Sequence, residues 1–75
     1  MNILVSHKET AIKLAEIYIG AIYGTEAAEN QKPYIINDTG NSWVVRGKPP
    51  ATLGGSFKIE INKKDGKVVA LEHDR

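Results

Sequence analysis

Two hydrophobic periods divide the chain. From Thr10 to Tyr23 the apolar residues recur at helical spacing. Ala11, Leu14, Ala15, Tyr18 and Ile22 fall on one face, Ile12 and Ile19 flank it on one side, and Ile17 and Ala21 on the other. Lys13, Glu16 and Gly20 lie opposite. So wide an apolar arc predicts a helix mostly covered by the rest of the fold, with a narrow polar strip left in water. Ser6 stands where an N-cap is needed, with Glu9 three residues on as its capping-box partner. Gly24 is the stop signal, because glycine tolerates the left-handed backbone that ends a helix. Thr25 then caps a second short helix, Glu26 to Gln31, which Pro33 closes.

From Tyr34 the period changes to two. Tyr34 to Asn37 reads as a short strand, Asp38-Thr39-Gly40-Asn41 as a turn, and Ser42 to Arg46 as a second strand rich in aromatic and β-branched residues. Gly47 to Gly55 is a long loop, stiffened by Pro49-Pro50 and loosened by Gly54-Gly55. Phe57, Ile59 and Ile61 then alternate with Lys58, Glu60 and Asn62, and Lys63-Lys64-Asp65-Gly66 leads into a last strand from Lys67 to His73. Asp-Gly between alternating runs marks a hairpin. A two-residue turn would pair Ile61 with Ala70 and mix the faces. A three-residue loop with Gly66 as the bulge residue pairs Ile61 with Val69, Ile59 with Leu71 and Phe57 with His73, and sets Lys58 opposite Glu72.

These elements predict an α+β fold of one domain over residues 1–75, with a helical part at 7–31 and a β-meander at 33–73. The N-terminal amphipathic helix and the short second helix pack on a curved four-stranded antiparallel meander, a cystatin-like half cone. The lone helix lies in the concave side and uses up nearly all the apolar residues. A 75-residue chain buries roughly 60% of its unfolded surface, which leaves little room for a deep, water-excluding active site.

Charge and composition narrow the classes of function. A net charge of +1 provides no basic field for nucleic acid. The chain has no cysteine, which removes disulfides, thiolate chemistry and cysteine-bound zinc. The first eight residues lack the basic start and long apolar run of a signal peptide, and the stretch Ile17 to Tyr23 is far too short for a membrane span. The reading is cytoplasmic.

Candidate chemistry is sparse. His7 and His73 have no companions at metal-ligand spacing; the first is expected in solvent before the helix, the second at the sheet edge near Phe57. No pair of carboxylates is singled out for general acid–base work; Glu60 and Glu72 share a polar face with Lys58. Ser6, Ser42 and Ser56 sit in cap or turn contexts, and Gly54-Gly55 lacks the Gly-Lys-Ser/Thr of a phosphate loop. Trp43 suits a binding anchor, but alternation with Val45 turns it inward onto the helix. Val44 and Arg46 then face out, and Arg46, Lys58, Glu60 and Glu72 form a charged band across three strands, a solvated face that also suits a charged partner.

One family gathers these pieces. Ile22-Tyr23-Gly24, Gln31-Lys32-Pro33-Tyr34, Ser42-Trp43-Val44-Val45-Arg46-Gly47 and the run from Gly55 to Lys67, in that order, resemble the bacterial immunity proteins with a nuclear-transport-factor-2-like fold. Those proteins accompany polymorphic toxins, including Rhs-type toxins, and the resemblance covers about residues 7–73. It implies an antidote that binds and blocks a cognate toxin, with no catalytic residues and no cofactor. Typical members of the wider fold are longer at the N-terminus and have a deep conical pocket. The binding face is expected on the exposed side of the sheet (Val44, Arg46, Lys58, Glu60, Glu72) or on the Lys48–Gly55 loop. The alternative is a small ligand-binding protein or enzyme of the same fold, with Tyr18, Asp38, Trp43 and His73 lining a cone. A homodimer that covers an exposed sheet edge is compatible with either.

Overall fold

A computed structural model of the chain describes residues 3–48 and 56–73. Helix α1 spans Lys8–Tyr23 and helix α2 Thr25–Asn30. The capping box expected at Ser6 and Glu9 does not form. The N-cap is His7, in an extended conformation and with no side-chain cap hydrogen bond. The reason lies just upstream. The Val5 N–H donates to the Lys63 carbonyl at 2.9 Å, and the Val5 carbonyl accepts from Trp43 Nε1 at 2.8 Å. That pairing buries Val5 and keeps the chain extended through His7, whose carbonyl receives the N–H groups of Thr10 and Ala11.

Gly24 ends α1 as expected. Its φ is positive at 99°, but with ψ at 152° it is not left-handed helix; it joins the two helices and is itself the N-cap of α2. Its N–H closes on the Gly20 carbonyl, and its own carbonyl accepts from Ala28. Thr25 therefore stands inside the first turn of α2 rather than at the cap, and α2 ends at Asn30 with Gln31 as its C-cap.

Four strands follow: β1 at Ile35–Asp38, β2 at Ser42–Arg46, β3 at Phe57–Asn62 and β4 at Val68–His73. They form an antiparallel meander in the order β1-β2-β3-β4. The first strand takes in Asp38, whose carboxylate then accepts the Gly40 N–H at 2.8 Å and shapes the turn from within the strand end. In the β3–β4 hairpin, Phe57 opposes His73, Lys58 opposes Glu72 and Ile59 opposes Leu71, as the alternation required. Ile61 opposes Val68, not Val69. The Asn62 N–H donates to the Lys67 carbonyl and the Gly66 N–H to the Asn62 carbonyl, so the loop holds four residues, Lys63 to Gly66, instead of three. A bulge beyond Glu60 then restores the register. Gly66 has φ 75°, a positive value that glycine adopts without the steric cost of a side chain.

The core forms where α1 crosses the inner face of the sheet, against β1, β2 and β3. Trp43, Val45, Phe57, Ile59 and Ile61 come from the strands, Ala11, Ala15 and Ile19 from α1, with Ala28 and Val5 closing the ends. The buried line on α1 is Ala11-Ala15-Ile19, not the line through Leu14, Tyr18 and Ile22. Two alanines let the helix axis approach the sheet closely, so the seam follows the smallest side chains. Leu14 and Tyr18 become half-buried borders, while Ile22 is 53% and Ile17 63% exposed. Nor does the helix lie over β4, where Val69 is 58% exposed. The expectation that one helix uses up nearly all the apolar residues is thus corrected.

Candidate functional site

The outer face of the sheet is built by strand alternation. Because Val45, Ile59 and Leu71 point inward, their neighbours point out, and the register sets those neighbours in two rows across the four strands. One row is Ile35, Arg46, Lys58, Glu72; the next is Asn37, Val44, Glu60, Ala70. All five residues nominated from the sequence therefore share this face. The loop nominated as the alternative, Lys48 to Gly55, lies outside the described residues apart from Lys48.

The five are not equivalent. Val44 is half-buried at the middle of the sheet. The half-buried Glu60 has an internal partner: the Ser42 hydroxyl donates to its Oε2 and also contacts Thr39 Oγ1 at 2.6 Å. Ser42 is buried, so Glu60 is tied to the turn between β1 and β2. Arg46, Lys58 and Glu72 are exposed, and among the described residues none of them forms an ion pair. Lys58 and Glu72 stand opposite each other as foreseen, but their charged ends do not close into a bridge. Along this row runs a depression of about 420 Å³, lined by Ile35, Arg46, Lys58 and Glu72, with Gly47 and Phe57 at its end.

Gln31 holds that end together. Its Oε1 accepts the buried Phe57 N–H at 2.9 Å, and its carbonyl accepts the Lys48 N–H at 2.7 Å. The start of β3 and the exit of β2 are thereby fastened to the end of α2. Gly47 passes so close to Gln31 and Phe57 that a Cβ there would collide with both side chains. From the sequence Gln31 stands at a helix end and in the Gln31-Lys32-Pro33-Tyr34 segment, with nothing to mark it as this fastening. A single glutamine has no periodic signature, and its partner is 26 residues away.

The four residues proposed to line a cone do not converge. The Tyr18 hydroxyl donates to the Gly66 carbonyl at 2.9 Å, and Trp43 Nε1 is bound to Val5. Asp38 accepts from Lys63 Nζ at 2.6 Å, and the His73 ring lies 4.7 Å from that of Tyr23, exposed at the sheet end. None of them lines the depression described above, nor two further ones among the described residues, near Ile3 and Lys64 and near Ile12 and Tyr34. His7 is exposed, as foreseen. Among the described residues, no three histidine or acidic side chains gather as metal ligands, and no helix is long and apolar enough to cross a membrane.

Two charge clusters lie elsewhere. Lys63 pairs with Asp38 while its ammonium sits 4.6 Å from the centre of the Trp43 ring. The Lys63 hydrogen bond, aided by the Gly40 N–H, holds the Asp38 carboxyl below its ordinary range. Lys32 bridges Glu16 and Glu29 at 2.8 Å each, which raises the lysine and lowers Glu16. The Lys32 cluster is solvent-exposed and joins α1 to α2, and the Lys63–Asp38 pair, half-buried on its lysine side, joins the end of β1 to the β3–β4 loop; both tie elements together at little energetic worth.

Residues 10–75 match the family model described as NTF2 fold immunity protein. The chain is also similar to two proteins of Escherichia coli strain K12 whose names call them uncharacterized. It is 45% identical to YhhH over 74 residues, 96% of this chain and 58% of that protein. It is 49% identical to YbbC over 67 residues, 87% of this chain and 55% of that protein. The chain thus spans a little over half the length of these relatives. No solved structure matches it. A helix pair on a four-stranded antiparallel sheet agrees with that family description, and the chain belongs to the NTF2-fold immunity proteins.

Proposed function

We propose that this chain neutralises a cognate bacterial toxin by binding it, in the cytoplasm and without chemistry of its own. Membership of the immunity family over residues 10–75 is the observation that carries this reading. The outer sheet face is the surface offered to the toxin, with Arg46, Lys58 and Glu72 as its exposed charges and Val44 and Glu60 as the supporting middle row. A mixed-charge, preformed β-surface suits such a task. Its backbone is held by strand pairing, so little order has to be imposed on binding, and charge placement selects the partner.

Co-expression with the toxin encoded beside its gene is the test. The expected result is restored growth together with a complex that survives purification. Growth arrest despite abundant folded protein, with no complex, removes the reading.

A further inference from the structure

The row Ile35-Arg46-Lys58-Glu72 contains an arrangement that folding alone does not favour. Arg46 and Lys58 are direct cross-strand neighbours on the exposed face. Like charges placed opposite each other on adjacent strands destabilise a sheet. Among the described residues neither cation has an ion-pair partner, and the carboxylate in the adjoining row, Glu60, is held by the Ser42 hydroxyl. Elsewhere on the molecule the cations that contact acids do so for structure: Lys32 with Glu16 and Glu29, Lys63 with Asp38. The Arg46–Lys58 pair is different, and it lines the depression along the sheet.

We infer that the Arg46–Lys58 pair is the receptor for an acidic side chain of the protein partner, with Ile35 as an apolar contact beside it. This rests on the reading of the chain as a toxin-binding protein. A carboxylate entering between the two cations relieves their repulsion and receives charge-assisted hydrogen bonds, the planar guanidinium of Arg46 offering two in parallel. Ile35, 52% exposed at the end of the same row, supplies apolar area next to the charges. Glu72 at the other end repels a second acid and favours a base, so the row reads apolar, cation, cation, anion. A phosphate backbone fits this less well. Two cations bounded by Glu72 and Glu60 make a point, whereas nucleic acid requires a stripe of positive charge.

Calorimetric titration of the purified partner toxin into wild-type protein, Arg46→Glu, Arg46→Gln, Lys58→Glu and Glu72→Lys tests the inference. All three sites are exposed, so each variant should fold with thermal unfolding near that of wild type, Arg46→Glu at or slightly above it because it turns the cross-strand repulsion with Lys58 into an attraction, and this serves as the control. Arg46→Glu and Lys58→Glu should each weaken binding at least about tenfold, with Arg46→Gln intermediate and Glu72→Lys nearer to wild type. The wild-type affinity should fall as salt rises from about 0.05 M to about 0.5 M, and that dependence should flatten in the two charge reversals. Reversals that bind within about twofold of a tight, protective wild type overturn the acidic-receptor inference and leave the immunity reading standing. A folded wild type that neither binds nor protects overturns both. Equal retention of wild type on a nucleic acid, lost in the reversals while toxin binding persists, also overturns the inference.

Discussion

The inner faces of β3 and β4 are one hydrophobic pattern with two outcomes. In β3, Phe57, Ile59 and Ile61 alternate with polar residues and are completely buried. In β4, Val68, Leu71 and His73 continue the same face by register, yet Val68 and His73 are exposed and Leu71 is only half-buried. The difference is the cover. Helix α1 lies over β1, β2 and β3 and meets β4 at its end, where the Tyr23 ring lies 4.7 Å from that of His73. Alternation therefore determines which way a side chain points, and the position of the neighbouring layer determines whether it leaves water. Energetically the first strand is core, and the second is a border whose main role is to complete the hydrogen bonds of the first.

Four substitutions sharpen this contrast. Ile59→Ala, at the centre of the covered half, should lower unfolding free energy by about 2–5 kcal/mol in urea titration, since the lost methyl and methylene groups leave a cavity under α1. A loss below 1 kcal/mol, on the order of a surface change, would mean the helix does not seal this strand. Gln31→Leu keeps the bulk but removes the acceptor for the buried Phe57 N–H, and should cost about 1–3 kcal/mol in the same assay. Slower exchange of the Phe57 amide in that variant would contradict it.

The third test uses acid. The Asp38 carboxyl, held below its ordinary range by Lys63 and the Gly40 N–H, contributes stability that is present above the usual carboxylate pKa and lost as pH falls through its depressed folded value. Asp38→Asn should therefore be less stable than wild type at neutral pH, with the two curves converging in acid below that depressed value. Parallel curves across the whole range would exclude the linkage. The smallest effect is expected at the uncovered strand. Val69→Thr keeps β-branching at an exposed position and should change stability by no more than about 0.5 kcal/mol. A drop as large as that at Ile59 would show that β4 is covered in solution.

That the five residues of the proposed binding surface share one face was legible, because it follows from the same alternation. Once Trp43 and Val45 were assigned inward, Val44, Arg46, Lys58, Glu60 and Glu72 could only face out, and the register places them on one side. What alternation does not reveal is which of them already has an internal partner. Glu60 reads in sequence like Glu72, but only Glu60 meets the hydroxyl of Ser42, 18 residues away. Gln31 was invisible for the same reason. The misplaced first cap has a related origin. Ser6 and Glu9 fit the local rule, but the pairing of Val5 with Lys63 and Trp43 overrides it.

By itself, the sequence determined the order of two helices and four strands, the inward and outward sides of β2 and β3, the glycines at the end of α1 and in the last hairpin loop, and the pairing of β3 with β4 as far as Ile59. All of these rest on period, glycine placement and short-range turn chemistry, which act within a few residues. Only the tertiary structure decided that Ala11, Ala15 and Ile19 form the seam of α1, that Ile22 and Val69 stay in water, and that Gln31 fastens two strand ends. Those outcomes depend on how closely two surfaces approach and on which distant polar groups meet, and neither distance is written in a local pattern.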